Sequence, residues 1–212
     1  EPIVAEYDNN DVYPHELIPR LQELGLFGIT IPSEYGGLDL DFTTFAMIFE
    51  EISKGWMSLS GIIGTHHVLS HIISMYGTSE QKTRILPRMA TGELRGGLAL
   101  TEPEAGSDAQ NIATVARKDG EEYVINGRKM LISNGENGNI FALMAKTDVN
   151  AYPAHKGISC FILEKPIQGF EVGQHIDKLG YRGIDTCELL FNDCRISTEE
   201  LIGGVEGKGF HQ

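Results

Sequence analysis

The sequence predicts an α+β protein: an N-terminal all-α helical domain followed by a β-barrel or sandwich domain. Three observations carry this. Apolar residues recur at helical spacing as far as residue 94. Beyond it, short apolar and β-branched runs alternate with turn residues. Hydrophobic residues make up 41% of the 212 residues, enough for a buried core. The change of pattern sets a boundary near Leu94, giving domains at 1–94 and 95–212.

The start, EPIVAEYD, reads as the end of an earlier helix. Leu17, Leu21 and Leu24 share one helical face, and Gly25 suits its stop. The stretch IPSEYGGLDLD is a glycine-rich loop. Phe45, Ile48, Phe49 and Ile52 then repeat at i, i+3, i+4, i+7, and Ile62, Leu69, Ile73 and Tyr76 form a third stripe before Gly77. Thr78 to Gln81 fits a capping box opening a fourth helix that runs toward Gly92. Residues 95–101 read as a strand of small apolar residues. Asp119-Gly120 and Asn126-Gly127 both suit type I′ hairpin turns. Further strands are expected at 140–146, 157–163, 170–173 and 186–191. Lys208-Gly-Phe reads as the opening of another helix, so the chain reads as cut at both ends.

Composition excludes some functions. The net charge is -13, with 5 basic and 13 acidic residues in 1–94 and 12 and 17 in 95–212. Both halves are acidic, which argues against nucleic acid, because a phosphate backbone needs a basic face. A small phosphate ligand held by backbone amides remains compatible. Cys160, Cys187 and Cys194 form neither a disulfide framework nor a zinc spacing, and they indicate a reducing compartment. No apolar run reaches the length of a membrane span, and the start has no signal-peptide pattern.

The most informative stretch is LALTEPEAGSDAQ. A strand ends at the Thr101 hydroxyl, and Pro103 fixes a turn. Ala105, Gly106 and Ser107 are small enough for a ligand to approach their amides. Ser107 adds a hydroxyl, and Asp108 suits a cap on the next turn. Taken alone, the segment reads first as an ordinary β-turn with Asx capping.

Five matches in one family's order, the last made of two segments, carry a resemblance. Residues 98–108 match the ALTEPxAGSD signature of the acyl-CoA dehydrogenase flavoproteins. YVINGRKMLISNG resembles that family's second motif, and IPSEYGG its IPxxYGG loop. YGTSEQKTRILPRMATGE matches the helix before the signature. KLGYRGIDTCELLFNDCRI and LIGGVEGKGF match the end of its middle domain. The resemblance runs from about Tyr7 to Phe210. It implies the helical and middle β-domains of that family, with its C-terminal helical bundle absent from this chain.

The resemblance also implies FAD. Leu98 and Leu100 would offer backbone groups near the flavin, and Thr101 would hydrogen-bond its polar ring edge. Gly106 and Ser107 would meet the pyrophosphate, with Ser107 also touching acyl-CoA. Leu131, Ile132 and Ser133 would lie against the ring near its reactive nitrogen. Two departures stand out: Leu131 where the family often has Trp, and Ser133 where it often has Thr. Leu131 and Ile132 serve equally well as ordinary strand core.

The implied activity is α,β-dehydrogenation of an acyl-CoA to the trans-2-enoyl-CoA, with electrons passing to an electron-transfer flavoprotein. The implied assembly is a homotetramer, in bacterial cytoplasm or the mitochondrial matrix. The family's base is a glutamate in the C-terminal bundle, so no catalytic residue is expected here. Glu102 is read as a brace for the turn, and Glu50 and Glu51 as a solvated helix face. An acyl-CoA oxidase or flavin monooxygenase of the same fold, or a non-catalytic binding or assembly module, are the alternatives. His66, His67 and His71 lack the partners of a metal site, and are read as structural or as lining a substrate channel. Arg182 is read as a surface pair.

Overall fold

The structure, a computed structural model, describes residues 3–212. Glu1 and Pro2, the first part of the expected earlier helix, lie outside the described residues. A short helix α1 spans Val4–Asn9, and α2 spans Ile18–Glu23. The chain then turns through the glycine-rich loop, where Ser33–Tyr35 forms a 3-10 turn.

The second and third predicted helices form one run, α3, Phe42–Tyr76. Asp41 caps it by accepting from the Thr43 and Thr44 amides at 2.8 and 3.0 Å. The run breaks at Trp56, whose φ of -162° and ψ of 111° are not helical. The break is held from outside. Asp8 accepts from Trp56 Nε1 at 2.9 Å, from Ser58 Oγ at 3.4 Å and from the Gly183 amide at 3.1 Å. Helix α4, Ser79–Ala90, opens with the predicted capping box of Thr78 and Gln81.

Seven strands follow: β1 Gly96–Ala99, β2 Val115–Asp119, β3 Glu122–Ser133, β4 Ile140–Lys146, β5 Ile158–Glu164, β6 Phe170–His175 and β7 Thr186–Ser197. They form one sheet in the order β1-β4-β2-β3-β7-β6, with β5 on β4. The sheet curls on itself. Tyr123 on β3 meets Phe161 on β5 at 4.9 Å between rings, and Phe141 on β4 lies 6.5 Å from Phe170 on β6.

β4 shows why its sequence is apolar throughout. Successive side chains point to opposite faces. Phe141, Leu143 and Ala145 fill the interior of the curl, while Ile140, Ala142 and Met144 pack with Leu69, Ile73, Ile85 and Leu86 of α3 and α4. A strand buried on both faces reads as a continuous hydrophobic run.

The structure corrects several local expectations. Asn126-Gly127 is not a hairpin. β3 continues through it, because Asn126 is paired to Val115 on one side and exchanges side-chain bonds with Asp193 on the other. The pair instead faces a bulge on β7, where Asn192 and Asp193 oppose the single residue Asn126, and Asp193 takes a φ of +48°. The one hairpin between β2 and β3 turns at Gly120 and Glu121, with φ positive only at Gly120, which suits type II′ rather than I′. β7 runs on to Ser197, paired along β3. Residues 208–212 make a single turn, with the His211 and Gln212 amides on the Lys208 carbonyl.

His66 and His67 are buried where α3 meets the 26–30 turn. His66 Nε2 donates to the Phe27 carbonyl at 2.9 Å, and His67 Nε2 to the Leu26 carbonyl at 2.9 Å. The Thr30 hydroxyl faces His67 Nδ1 at 3.0 Å. Burial pushes His66 down to about 3 and His67 down to about 4, so both are neutral. In the unfolded chain they protonate near about 6.5. Below that pH the unfolded state therefore binds more protons, and stability falls as pH drops from about 6.5 toward the folded values. Urea midpoints measured across this range should decline, and the double variant His66→Gln/His67→Gln should flatten the slope.

Candidate functional site

The two motif segments lie side by side. The Met130 amide donates to the Thr101 carbonyl at 2.8 Å. A Cβ on Gly97 would stand 3.5 Å from the Ser133 carbonyl oxygen. Leu98, Leu100 and Thr101 thus share an edge with Leu131, Ile132 and Ser133. Past Thr101, paired bonds of 3.0 and 3.1 Å between Glu102 and Ala105 close the turn over Pro103 and Glu104. Gly106 and Ser107 then stand exposed, with open space where a Gly106 Cβ would be. The Asp108 side chain makes no cap. Its carbonyl, not its carboxylate, accepts the Asn111 amide at 3.0 Å, so the expected Asx cap is corrected.

The donors on this edge are free. Among the described residues, the hydroxyls of Thr101, Ser107 and Ser133 enter no hydrogen bond, nor do the amides of Thr101, Gly106 and Ser107. Leu98 and Leu100 line an apolar cavity of about 520 Å³ with Phe42, Val68, His71 and Phe210. Ile132 is 2% exposed and packs inside the curled sheet, whereas Leu131 is 56% exposed.

Lys129 and Glu102 build the floor of this edge. Lys129 is fully buried. Its ammonium donates to Glu102 Oε1 at 2.7 Å and to the Leu100 carbonyl at 3.0 Å. The Glu102 carboxylate also accepts the Ala113 amide at 2.5 Å and the Thr114 amide at 3.0 Å. Burial opposes the Glu102 charge, but Lys129 and the two amides outweigh it and hold the carboxyl below its ordinary value. Burial pushes Lys129 down to about 8 against the attraction of Glu102. Both are charged at neutral pH. Glu102 braces the turn and is poorly suited to take a proton from a substrate.

A second bulge, between Lys129 and Ile132, sets Leu131 at φ +59°. That conformation costs a residue with a Cβ roughly 1–2 kcal/mol. The strand is pinned on its far side by Asn134, itself at φ +57° and 1% exposed. Asn134 Nδ2 donates to Thr65 Oγ1 at 2.6 Å and to the Ile62 carbonyl at 3.2 Å, so α3 and the second motif move together. Asp185 accepts the Glu136 amide at 2.8 Å and Asn137 Nδ2 at 3.0 Å, fastening the turn that follows.

Sequence reasoning quoted Lys129 and Asn134 inside the motif and gave them no role. A lysine within an apolar strand, with a glutamate in the neighbouring motif, was the available signal for the first. Asn134 gave no such signal, because its side-chain partners, the Ile62 carbonyl, Thr65 and the Tyr13 hydroxyl, all lie far away in sequence.

The other candidates are ordinary. Glu50 and Glu51 form exposed pairs with Lys54 at 3.1 and 2.7 Å. Arg182 Nε pairs with Asp11 at 2.8 Å. His71 edges the apolar cavity, with its ring 5.5 Å from that of Phe42. All three cysteines are buried. Among the described residues no group of three His, Cys, Asp or Glu is placed to hold a metal, and no helix is long and apolar enough to cross a membrane.

Two stability effects follow. Lys129→Met alone strands a buried carboxylate and should cost roughly 3–5 kcal/mol by urea unfolding, while Lys129→Met with Glu102→Gln should recover most of it. Leu131→Gly should stabilise by about 1 kcal/mol, because the left-handed backbone is then unstrained and the side chain lost is exposed.

Comparison with known proteins identifies the family of the chain. The acyl-CoA dehydrogenase N-terminal domain model matches residues 1–93, and the acyl-CoA dehydrogenase middle domain model matches residues 97–194. The mitochondrial isovaleryl-CoA dehydrogenase of Pongo abelii is 38% identical over 99% of this chain and 50% of its own length. The solved butyryl-CoA dehydrogenase of Megasphaera elsdenii superposes with a TM-score of 0.94 at 34% identity, covering 99% of this chain and 55% of that one. An acyl-CoA dehydrogenase complexed with FAD from Bacillus anthracis matches with a TM-score of 0.84 at 36% identity, over 92% of this chain and 32% of that one. The chain spans about half the length of the curated relatives it matches.

Proposed function

The chain belongs to the acyl-CoA dehydrogenase family, and on that footing we propose that it forms the flavin- and acyl-holding part of an FAD-dependent acyl-CoA dehydrogenase. The observation that carries this reading is the shared edge of the two motifs, with its hydroxyls and amides left free of internal partners. Neutral donors of this kind suit a planar ring with a polar edge and a pyrophosphate, so the residues present fit FAD.

FAD, when bound, supplies two-electron redox chemistry as acceptor of the hydride from the acyl Cβ. The chain's own part is to bind, orient and exclude water. The Thr101 hydroxyl and amide hold the polar ring edge. The Gly106 and Ser107 amides receive the pyrophosphate, and in this reading Ser107 also touches acyl-CoA. Leu98, Leu100, Leu131 and Ser133, with the backbone of the inward-facing Ile132, complete the wall on which the ring rests. The apolar cavity between α3 and β1 takes the acyl chain, and its Phe42, Val68 and Leu100 walls keep water from the reacting carbons. Glu102 is committed to Lys129 and to two amides, so the base that takes the α-proton comes from outside these residues. Delivery of electrons to an electron-transfer flavoprotein, a homotetrameric assembly, and residence in bacterial cytoplasm or the mitochondrial matrix belong to the same reading.

The test is a visible spectrum of the full-length protein with FAD, followed by acyl-CoAs of several chain lengths without oxygen. A bound-flavin spectrum that bleaches with an acyl-CoA is expected, and the reduced protein should react slowly with oxygen. Failure to bind FAD would overturn the reading; fast reoxidation by oxygen would turn it to an oxidase or monooxygenase.

A further inference from the structure

The buried lysine beneath the motif edge does more than the proposed reaction asks of it. Lys129 has two acceptors, and both belong to the signature segment: Glu102 Oε1 at 2.7 Å and the Leu100 carbonyl at 3.0 Å. The Leu100 carbonyl and the Thr101 N–H are two ends of one peptide group. The next carbonyl, that of Thr101, is fixed by the Met130 amide at 2.8 Å, so this peptide plane is held at both sides. Its N–H is the end left without an internal partner among the described residues.

We propose that Lys129 is a positioning residue: its ammonium, bonded to the Leu100 carbonyl, polarises the Leu100–Thr101 peptide and makes the Thr101 N–H a stronger donor to the polar edge of the flavin. This rests on the FAD reading above. Hydrogen bonds in a chain polarise one another, and a charged donor at one end strengthens the donor at the other. The effect is larger where water is excluded, and Lys129 is fully buried. Stability alone is a weak reason to keep such a pair, because apolar side chains of similar volume often serve a core as well. A reduced flavin carries more negative charge at its polar edge than an oxidised one. A polarised N–H therefore favours the reduced form and raises the potential of the bound cofactor.

The test compares the full-length wild type with Lys129→Met/Glu102→Gln, a neutral pair of similar size, after circular dichroism has confirmed its fold. Dissociation constants for FAD are measured in the oxidised state and, anaerobically, in the reduced state. The variant is expected to lose about tenfold more affinity for reduced than for oxidised FAD, equivalent to a fall of about 30 mV in the bound potential for a two-electron couple. Should the double variant not fold, Glu102→Asp takes its place. It keeps both charges but draws the ammonium away from Leu100, and a shift in the same direction is expected. A folded variant with unchanged potential would overturn the inference and leave the FAD reading intact, making Lys129 a structural strut only. A wild type that binds no FAD would overturn both.

Discussion

A buried ammonium must find acceptors or it does not remain charged, and both acceptors of Lys129 lie in the segment it supports. This one constraint fixes much of the candidate site. Glu102 has to turn inward to meet it, which places the Pro103–Glu104 turn on the outside. The Leu100 carbonyl has to face the same way, which aims the following amide in the opposite direction. The inward Glu102 carboxylate then gathers the Ala113 and Thr114 amides, so the chain leaving the signature is drawn back toward β2. Backbone groups that carry no sequence information are thereby oriented by a single charge pair.

The helical layer sets the other half of the geometry. α3 breaks at Trp56 because Asp8 and the Gly183 loop hold it there, and the second half of the helix then runs along β1. Asn134 links that half to the strand bearing Leu131 and Ser133. The apolar cavity lies between that half of the helix and the signature segment, with Val68 and His71 on one side and Leu98 and Leu100 on the other.

The fold was legible where local patterns are self-sufficient. The capping box at Thr78, the helical stripes and the apolar strand at Ile140–Lys146 are each determined by neighbours in sequence. The Asn126-Gly127 pair misled because the same dipeptide suits a hairpin and a strand that runs on opposite a bulge, and only partners on β2 and β7 decide between them. The break at Trp56 was hidden for a similar reason, since its cause is Asp8, nearly fifty residues earlier. In the site, the signature and second motif were readable as segments, and so was the family they resemble. Their contact was not, because Met130 to Thr101 is a backbone bond without side-chain signature. The left-handed backbone at Leu131 was equally silent, because leucine gives no warning of it.

β4 has one further consequence. With its partner β5, it is a wall common to the helical core and to the interior of the curled sheet, with Ile140, Ala142 and Met144 in one and Phe141, Leu143 and Ala145 in the other. Neither core keeps its packing if this strand leaves. The two therefore melt as one cooperative unit, and amides along β4 exchange with solvent only when the whole molecule opens.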